Sequence, residues 1–159
     1  MIIVVTGSVG TGKTTIAKNL AKRLKFIYLD VNSTLDEYNL KSKYIKKFDA
    51  YEVDVSKLNK VLIKIIKDNK NLVIDSHLSH YLPSSLVDYC IVCKCDIKFL
   101  NNRLVNRKYT KIKIRENLDS EIFDVCLIEA LEKKHNVIVL DTTNKTVRNC
   151  VNELIKKIK

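Results

Sequence analysis

A glycine-rich segment near the start of the chain constrains the fold more than any other feature of the sequence. Residues 7–14 read GSVGTGKT and match the pattern GxxxxGK[ST]. The apolar run MIIVVT before them is typical of a buried strand, and TTIAKNLAKRL after them has apolar residues at helical spacing. Because this pattern binds phosphate when it connects a strand to a helix, the sequence predicts a phosphate-binding loop here. A chance glycine-rich turn is the alternative.

The residue types in this loop suit a nucleotide and its Mg²⁺ ion. Gly10 and Gly12 let backbone N–H groups approach phosphate oxygens, and the start of the following helix adds a favourable dipole. We predict that Lys13 reaches the β- and γ-phosphates and that Thr14 offers its hydroxyl to Mg²⁺. Thr15, in the first helical turn, is predicted to contact the α-phosphate.

Apolar runs and amphipathic segments alternate along the rest of the chain. Runs typical of strands buried on both faces occupy residues 1–6, 26–30, 71–75, 87–94 and 136–141. Helical spacing follows the loop and recurs in residues 56–69, 97–106, 116–134 and 145–158. Ser56 is the predicted cap of its helix. The order predicts an α/β fold, the P-loop NTPase three-layer arrangement with a five-stranded parallel sheet and helices on both faces. The Lys-rich residues 31–51 are predicted to be irregular or short-helical.

Composition supports one globular domain spanning residues 1–159. Hydrophobic residues make up 46% and charged residues 30% of the chain, and the three Gly and one Pro disfavour an all-β fold. The net charge of +11 favours polyanionic partners such as nucleotides, RNA or anionic surfaces. No apolar segment approaches the roughly 20 residues that cross a bilayer, and the opening MIIVV reads as a strand rather than a signal peptide. We expect a cytoplasmic protein without a membrane partner.

Three of the five cysteines lie close together in the segment YCIVCKC. Cys90, Cys93 and Cys95 have no second Cys pair or nearby His to complete a zinc site. In an extended strand Cys90 points away from Cys93, whereas Cys93 and Cys95 share a face. We therefore predict buried, reduced thiols rather than a metal site.

An acidic residue ends the third predicted strand. In a parallel sheet this position brings Asp75 beside the phosphate loop, where its carboxylate can hold Mg²⁺ directly or through water. A helix cap or a turn residue is the alternative. His77, two residues later, can orient or deprotonate a water molecule or bond a phosphate, or it can be polar surface.

Two arginines lie one helical turn apart. Arg103 and Arg107 can point to one place at the end of their helix and clamp an anion, or they can be part of a solvated basic helix end. Lys108, Lys111 and Lys113 continue the basic segment without an acidic residue before Arg115.

The loop after the fifth strand is the predicted base pocket. The sheet edge brings Asp141, Thr142 and Thr143 near the same nucleotide. No NKxD sequence occurs, since Asn144-Lys145 is followed by Thr146, and DxxG is missing after Asp75. A guanine-specific GTPase is therefore disfavoured.

Taken together, these motifs resemble the nucleoside monophosphate kinases, and among them adenylate kinase of the isoenzyme-six type, a dual adenylate kinase and ATPase linked to ribosome assembly. The resemblance covers nearly the whole chain. It rests on the segments GSVGTGKTT, VIDSH, the Arg103-x-x-x-Arg107 pair with its following Lys-Tyr, and ENLDSEIFDVCLIEA at 116–130. The last of these segments is the most specific.

The resemblance implies two mobile covers and a catalytic set. Residues 30–53 would form a flap over the monophosphate, and residues 106–116 a short lid. Arg107 would contact ATP phosphates with Arg103 beside the nucleotide, and the catalytic residues would be Lys13, Asp75, His77 and Arg107. Two features depart from the family: Lys108 stands where the family has Gly, and the flap has no AMP-binding arginine, its cations being Lys41, Lys43, Lys46 and Lys47.

The implied function is phosphoryl transfer from Mg-ATP to AMP with accompanying ATPase activity, serving small ribosomal subunit and rRNA maturation. A short lid excludes water poorly, so hydrolysis can compete with transfer. One alternative is a nucleotide-gated assembly ATPase that binds a ribosomal protein or rRNA, with little kinase activity. Another is a small-molecule kinase of the shikimate type, for which no acceptor-binding groups are identified in the insert.

Overall fold

The computed structural model describes residues 1–158, and its main sheet is the predicted one. Its parallel strands lie in the order β2-β5-β1-β6-β7. Their bounds are β1 Ile2–Thr6, β2 Ile27–Asp30, β5 Leu72–Asp75, β6 Tyr89–Lys94 and β7 Val137–Asp141. The central strand β1 is buried along its whole length, as the apolar run MIIVVT predicted. The predicted α/β fold with a five-stranded parallel sheet is confirmed.

Helices cover both faces of this sheet. Seven are described: α1 Lys13–Leu24, α2 Val31–Glu37, α3 Val55–Asp68, α4 Ile97–Asn106, α5 Lys111–Ile122, α6 Val125–Glu132 and α7 Val147–Lys157. Helices α1 and α7 pack on one face, where Leu20, Leu154 and Ile3 belong to the same buried core. Helices α3 and α6 pack on the other, around Val4. The alternation of Ile3 and Val4 along β1 thus supplies the two cores with side chains from a single strand.

The insert after β2 differs from its prediction. It contains the short helix α2 and then an antiparallel hairpin, β3 Lys41–Ile45 and β4 Ala50–Val53. Tyr44 and Tyr51 pair across the hairpin with ring centroids 5.1 Å apart. Most of the hairpin's side chains are exposed, so the sequence lacks the apolar alternation that marks a strand packed on a core.

Three helix boundaries also differ from those predicted. Helix α3 begins at Val55 and is capped by Asp54, whose carboxylate accepts from the N–H of Lys57, so Ser56 is not the cap. The predicted helix 116–134 is two helices that meet at Asp124, which has a left-handed φ of 53°. Without Gly or Pro at this point the sequence carries no break signal. Helix α7 begins at Val147, and Thr146 caps it.

All five cysteines are buried and free, as predicted for Cys90, Cys93 and Cys95. Cys90 and Cys93 belong to the cores on opposite faces of the sheet, while Cys95 lies just beyond β6 and packs against α4. Across residues 1–158 no cluster of three His, Cys, Asp or Glu side chains could hold a metal ion. None of the helices within that range has the length and apolar character needed to cross a membrane.

Candidate active site

The glycine-rich loop closes tightly over the end of the sheet. Gly7 has a φ of 138°, and a Cβ at this position would lie 2.4 Å from the carbonyl oxygen of Cys93. The Thr11 hydroxyl donates to the carbonyl of Ser8 at 2.8 Å and fixes the loop's curvature. Gly12, with a φ of 91°, leads into α1. The loop therefore presents the N-terminus of a twelve-residue helix to an anion.

A cleft of about 490 Å³ lies in front of this loop. Its lining includes Lys13, Thr14, Asp75, His77 and Arg107. Lys13 is the first residue of α1. Burial lowers the pKa of Lys13, Asp75 opposes that shift, and the nearby Arg107 lowers the pKa further. An anionic ligand bound in the cleft would oppose this shift and favour the charged form of Lys13.

Asp75 lies beside the phosphate loop because β5 pairs with β1, with Asp75 opposite Val5. Its carboxylate is 3% exposed. One oxygen, Oδ2, accepts a hydrogen bond from the Tyr28 hydroxyl at 3.0 Å, and burial together with Asp75 raises the pKa of that tyrosine. The other oxygen, Oδ1, is buried without a hydrogen-bond partner within residues 1–158. A buried carboxylate oxygen without a partner needs a water molecule or a cation.

These donors fit Mg²⁺. This ion uses one or two carboxylates together with substrate phosphates and water. The orphan Oδ1 of Asp75 and the exposed Thr14, which lines the same cleft, provide a carboxylate and a hydroxyl of this kind. Within residues 1–158 Asp75 caps no helix, and the hydrogen bond from Tyr28 is its described side-chain contact.

His77 lines the wall of the same cleft, with part of its surface exposed and the rest facing the surrounding protein. Desolvation by the surrounding protein, together with repulsion by Lys13 and His80, lowers its pKa to about 4. The ring is therefore neutral at pH 7, with one nitrogen that donates and one that accepts. Such a ring can orient a water molecule or a hydroxyl group, but it is a weak base.

The two arginines of α4 have different partners. The Arg103 guanidinium donates to the carbonyl of Gly10 at 3.2 Å and to the carbonyl of Thr142 at 3.3 Å. Arg107 is exposed and lines both the main cleft and a neighbouring pocket. The structure thus uses Arg103 to tie the phosphate loop to the loop after β7, and leaves Arg107 free to meet an anion.

A second pocket, of about 250 Å³, adjoins the phosphate loop on its other side. The predicted residues in its lining are Gly10, Gly12, Thr15, Arg103, Arg107 and Thr142. The other lining residues are Ile16, Lys145, Val147 and Cys150. Asp141 and Thr143 lie outside this lining; the Thr143 N–H donates to the Asp141 carboxylate at 2.8 Å within the loop. Sequence reasoning missed Lys145 and Val147, although their position directly after the predicted base loop is a usable signal.

The hairpin and the basic segment after α4 meet above the main cleft. Phe48 and Ala50 come from the hairpin, and Tyr109 and Lys113 from the other side. Lys113 Nζ donates to Asp49 twice, at 2.9 Å to its carbonyl and at 3.1 Å to its carboxylate. This contact joins residues 64 positions apart, and no local pattern in the sequence signals it.

The segment after α4 holds a strained residue. Lys108 has a φ of 57°, in the left-handed region that glycine adopts without strain. This is the residue that stands where the resemblance led us to expect Gly. The turn therefore keeps the backbone conformation of a glycine turn with a cationic side chain added.

A third pocket, of about 330 Å³, lies under the hairpin. It shares Asn32, Ala50 and His77 with the main cleft, and Lys41 and Tyr51 also line it. Lys41 Nζ pairs with Asp36 at 2.5 Å and lies 5.4 Å from the centre of the Tyr51 ring. Two adjoining pockets therefore meet at His77.

A more voluminous groove lies elsewhere on the molecule. It measures about 820 Å³, lies between α1 and α7, and is lined by Asn19, Lys22, Arg23, Lys25, Val147, Arg148, Val151 and Asn152. Within residues 1–158 none of its four cations pairs with a carboxylate. Neither a phosphate-loop residue nor an acidic residue is among these lining residues.

Comparison with known proteins agrees with this geometry. The model of a family described as AAA domain matches residues 3–124. A protein of Methanocaldococcus jannaschii named "Putative adenylate kinase" is 39% identical over 159 residues, covering 100% of this chain and 86% of the relative. A Caenorhabditis elegans protein named as an adenylate kinase isoenzyme 6 homolog is 32% identical over 145 residues, covering 91% of this chain and 80% of the relative.

A solved structure shares the fold at low identity. Shikimate kinase from Acinetobacter baumannii, in complex with shikimate, superposes with a TM-score of 0.71 at 15% identity, over 99% of this chain and 92% of that one. This similarity is one of architecture.

Proposed function

This chain belongs to the adenylate kinase family within the AAA-domain group of P-loop proteins, and on that premise we propose that it transfers a phosphoryl group from Mg-ATP to AMP, giving two ADP. Three relatives are each named "Putative adenylate kinase", and the chain is an enzyme of the nucleoside monophosphate kinase class to which adenylate kinases belong. Residues 1–159 act as one catalytic domain in this proposal.

Two adjoining pockets that share one wall are the main support for this function. The cleft in front of the phosphate loop contains Lys13 and Asp75, and the pocket under the hairpin shares Asn32, Ala50 and His77 with it. A donor triphosphate in the first and an acceptor monophosphate in the second would present their reacting oxygens to each other. Holding two reactants in this way accounts for much of the catalysis in phosphoryl transfer.

The side chains of the cleft have complementary roles in this reaction. Lys13 and Arg107 neutralise charge that develops on the transferred phosphoryl group. Asp75 and Thr14 would hold Mg²⁺, which supplies positive charge between the phosphate oxygens when it is bound. Thr15, Arg103 and Thr142 line the donor's second pocket with Gly10 and Gly12. Asp141 and Thr143 belong to the same loop as Thr142 but do not line this pocket.

The acceptor pocket has no arginine, and its cation is Lys41. We assign the monophosphate's charge to Lys41, with Asn32 as an amide partner and Tyr51 beside the pocket for a base. Lys41 already pairs with Asp36, so AMP must compete for it with a carboxylate. This competition predicts a weak acceptor site, and a weak acceptor site leaves room for hydrolysis.

ATP hydrolysis is the accompanying activity, and His77 favours it. A neutral ring at the junction of the two pockets can hold a water molecule in the position that the AMP phosphate otherwise takes. A water molecule held by His77 would also suit the second candidate function, a nucleotide-gated assembly ATPase with little kinase activity.

Product analysis separates these activities. Protein is incubated with Mg-ATP, with and without AMP, and nucleotides and phosphate are separated by chromatography. ADP formed with consumption of AMP indicates transfer, and ADP with phosphate indicates hydrolysis. We expect His77→Ala to lower hydrolysis about tenfold or more and transfer to AMP less, because only hydrolysis needs an oriented water. Equal losses in both rates would contradict this role, and absence of ATP turnover in the unmodified chain would contradict the proposal.

We further propose that this activity serves small ribosomal subunit maturation through contacts with rRNA or an rRNA-bound ribosomal protein. The support is the net charge of +11 and the α1–α7 groove, whose four cations have no carboxylate partner within residues 1–158. Phosphate neutralisation releases counterions, so RNA affinity falls with salt by a log-log slope of roughly −0.7 per contact in single strands.

The test is a titration of labelled small-subunit rRNA at several salt concentrations. We expect the double variant Arg23→Glu/Arg148→Glu to bind more weakly and to flatten the salt slope by about 1.4, from two lost contacts. Lys60→Glu/Lys64→Glu, on exposed positions of α3, changes the net charge equally and is the control. No binding at low salt, or an equal effect of both double variants, would contradict an RNA role for the groove.

A further inference from the structure

The side chain of a buried histidine outside the cleft has hydrogen-bond partners on two different elements. His80 is 1% exposed and belongs to a short 3-10 turn, Ser79–Tyr81, that follows the His77 loop. Its Nδ1 lies 2.8 Å from the hydroxyl of Thr6, and its Nε2 lies 2.8 Å from a carboxylate oxygen of Glu129. Thr6 ends β1 and directly precedes the phosphate loop, and Glu129 lies on α6.

The two partners determine the tautomer of His80. An ionised carboxylate only accepts hydrogen bonds, so the Nε2–H must donate to Glu129. The unprotonated Nδ1 then accepts from the Thr6 hydroxyl. Burial lowers the pKa of His80 and outweighs the opposing effect of Glu129, which favours this neutral form. The other oxygen of Glu129 accepts from the Tyr81 hydroxyl at 2.8 Å, so both carboxylate oxygens are used.

The segment between Asp75 and His80 folds back on the end of β1. The N–H of Ser76 donates to the Val5 carbonyl at 3.2 Å, and the Ser79 hydroxyl donates to the Ser76 carbonyl at 2.8 Å. His77 lies within this bend, and its side chain is partly exposed. The carbonyl of His80 in turn accepts from His135 Nε2 at 2.9 Å. Within this bend the His80 ring is the side chain that links the His77 loop to both β1 and α6.

We propose that His80 is a positioning residue, which fixes the His77 loop relative to the phosphate loop through Thr6 and relative to α6 through Glu129. The proposal rests on the proposed function for its kinetic consequence. A reaction between two bound nucleotides depends on sub-ångström placement, so loosening this bend lowers turnover while the phosphate loop continues to bind ATP. The effect then falls on kcat, and KM for ATP stays nearly constant.

Two conservative variants test the Thr6 contact. His80→Gln keeps an amide donor that can reach Glu129 but lacks an acceptor in the place of Nδ1. Thr6→Val removes the hydroxyl and keeps the shape of the side chain. Each is expected to lower kcat roughly tenfold with KM for ATP within about twofold. If both act through the same contact, the double variant loses no more than about one single variant does.

A destabilised control separates positioning from a general loss of stability. Asp88 accepts a hydrogen bond from the N–H of Ile2 at 2.6 Å, at the end of β1 opposite the cleft. Asp88→Asn is expected to lower the unfolding temperature without lowering kcat. In His80→Gln, amide hydrogen exchange of residues 76–81 should accelerate selectively; in Asp88→Asn it should not.

The outcomes are distinct. A kcat for His80→Gln within twofold of the unmodified chain would overturn the proposal. So would additive losses in the double variant, or exchange that accelerates evenly along the chain in His80→Gln. If the unmodified chain turns over no ATP, the proposed function fails, whereas selective exchange of residues 76–81 still decides whether His80 fixes the loop.

Discussion

Replacing Lys13 by Ala is expected to lower kcat for ATP turnover by roughly 10²–10³-fold. Lys13 is the cation at the start of α1, and it lines the cleft with Asp75 and Arg107. Charge that develops on the transferred phosphoryl group loses this preorganised partner in the variant. Steady-state rates of ADP formation, with and without AMP, measure the loss.

The unfolding temperature of Lys13→Ala, unlike its turnover, should not fall. Because burial lowers the pKa of Lys13, the protein holds this ammonium group at an energetic cost, and Lys13→Ala should unfold at an equal or higher temperature. Lys22→Ala, on an exposed position of the same helix, is the matched control and should keep normal turnover. Normal turnover in Lys13→Ala would remove the phosphate loop from the mechanism.

The sequence predicted those parts of the fold in which a single strand or helix shows its own pattern of buried side chains. Strand β1 is apolar on both faces because it is central in a parallel sheet, and α1 shows helical spacing because only one side packs on that sheet. The phosphate loop is predictable because its glycines follow from backbone geometry. Gly7 and Gly12 take φ values of 138° and 91°.

The parts that could not be predicted depend on contacts between distant residues. The hairpin β3–β4 is mostly exposed, so its strands have no buried face to show in the sequence. The break between α5 and α6 occurs at Asp124, which takes a left-handed conformation and pairs with Lys94 on β6. Asn and Asp tolerate this conformation better than most residues, but an Asp within a helical pattern is too common to signal a break.

The candidate site shows the same division. Lys13 and Asp75 could be placed from the sequence because Asp75 ends β5 and Lys13 follows the loop after β1, and parallel strands bring their ends to one edge. The different partners of Arg103 and Arg107 could not be predicted from the sequence, since their four-residue spacing places both on the same helix face. The distinction arises from a third element, the loop that carries Thr142.

Replacing Gly7 by Ala is expected to destabilise the protein by about 3 kcal/mol or more. The new Cβ would lie 2.4 Å from the backbone carbonyl oxygen of Cys93 and 3.0 Å from the Thr11 hydroxyl, at a φ of 138° that residues with a Cβ rarely adopt. The carbonyl belongs to β6, a strand paired with the centre of the sheet, so it cannot move away without disturbing that pairing. Urea or thermal unfolding of the variant measures the loss.

The other two glycines of the loop provide graded controls. At Gly10 a Cβ would meet side-chain methyl groups of Leu100 and Leu104 at 2.9 and 3.0 Å, and side chains can yield more readily than a strand. At Gly12 the nearest atoms are 4.0 Å away, so Gly12→Ala bears only the backbone strain, about 1–2 kcal/mol. The loss should therefore decrease in the order Gly7, Gly10, Gly12. A Gly7→Ala variant as stable as Gly12→Ala would show that β6 yields to the loop, contrary to the rigid edge on which the placement of Asp75 and Lys13 depends.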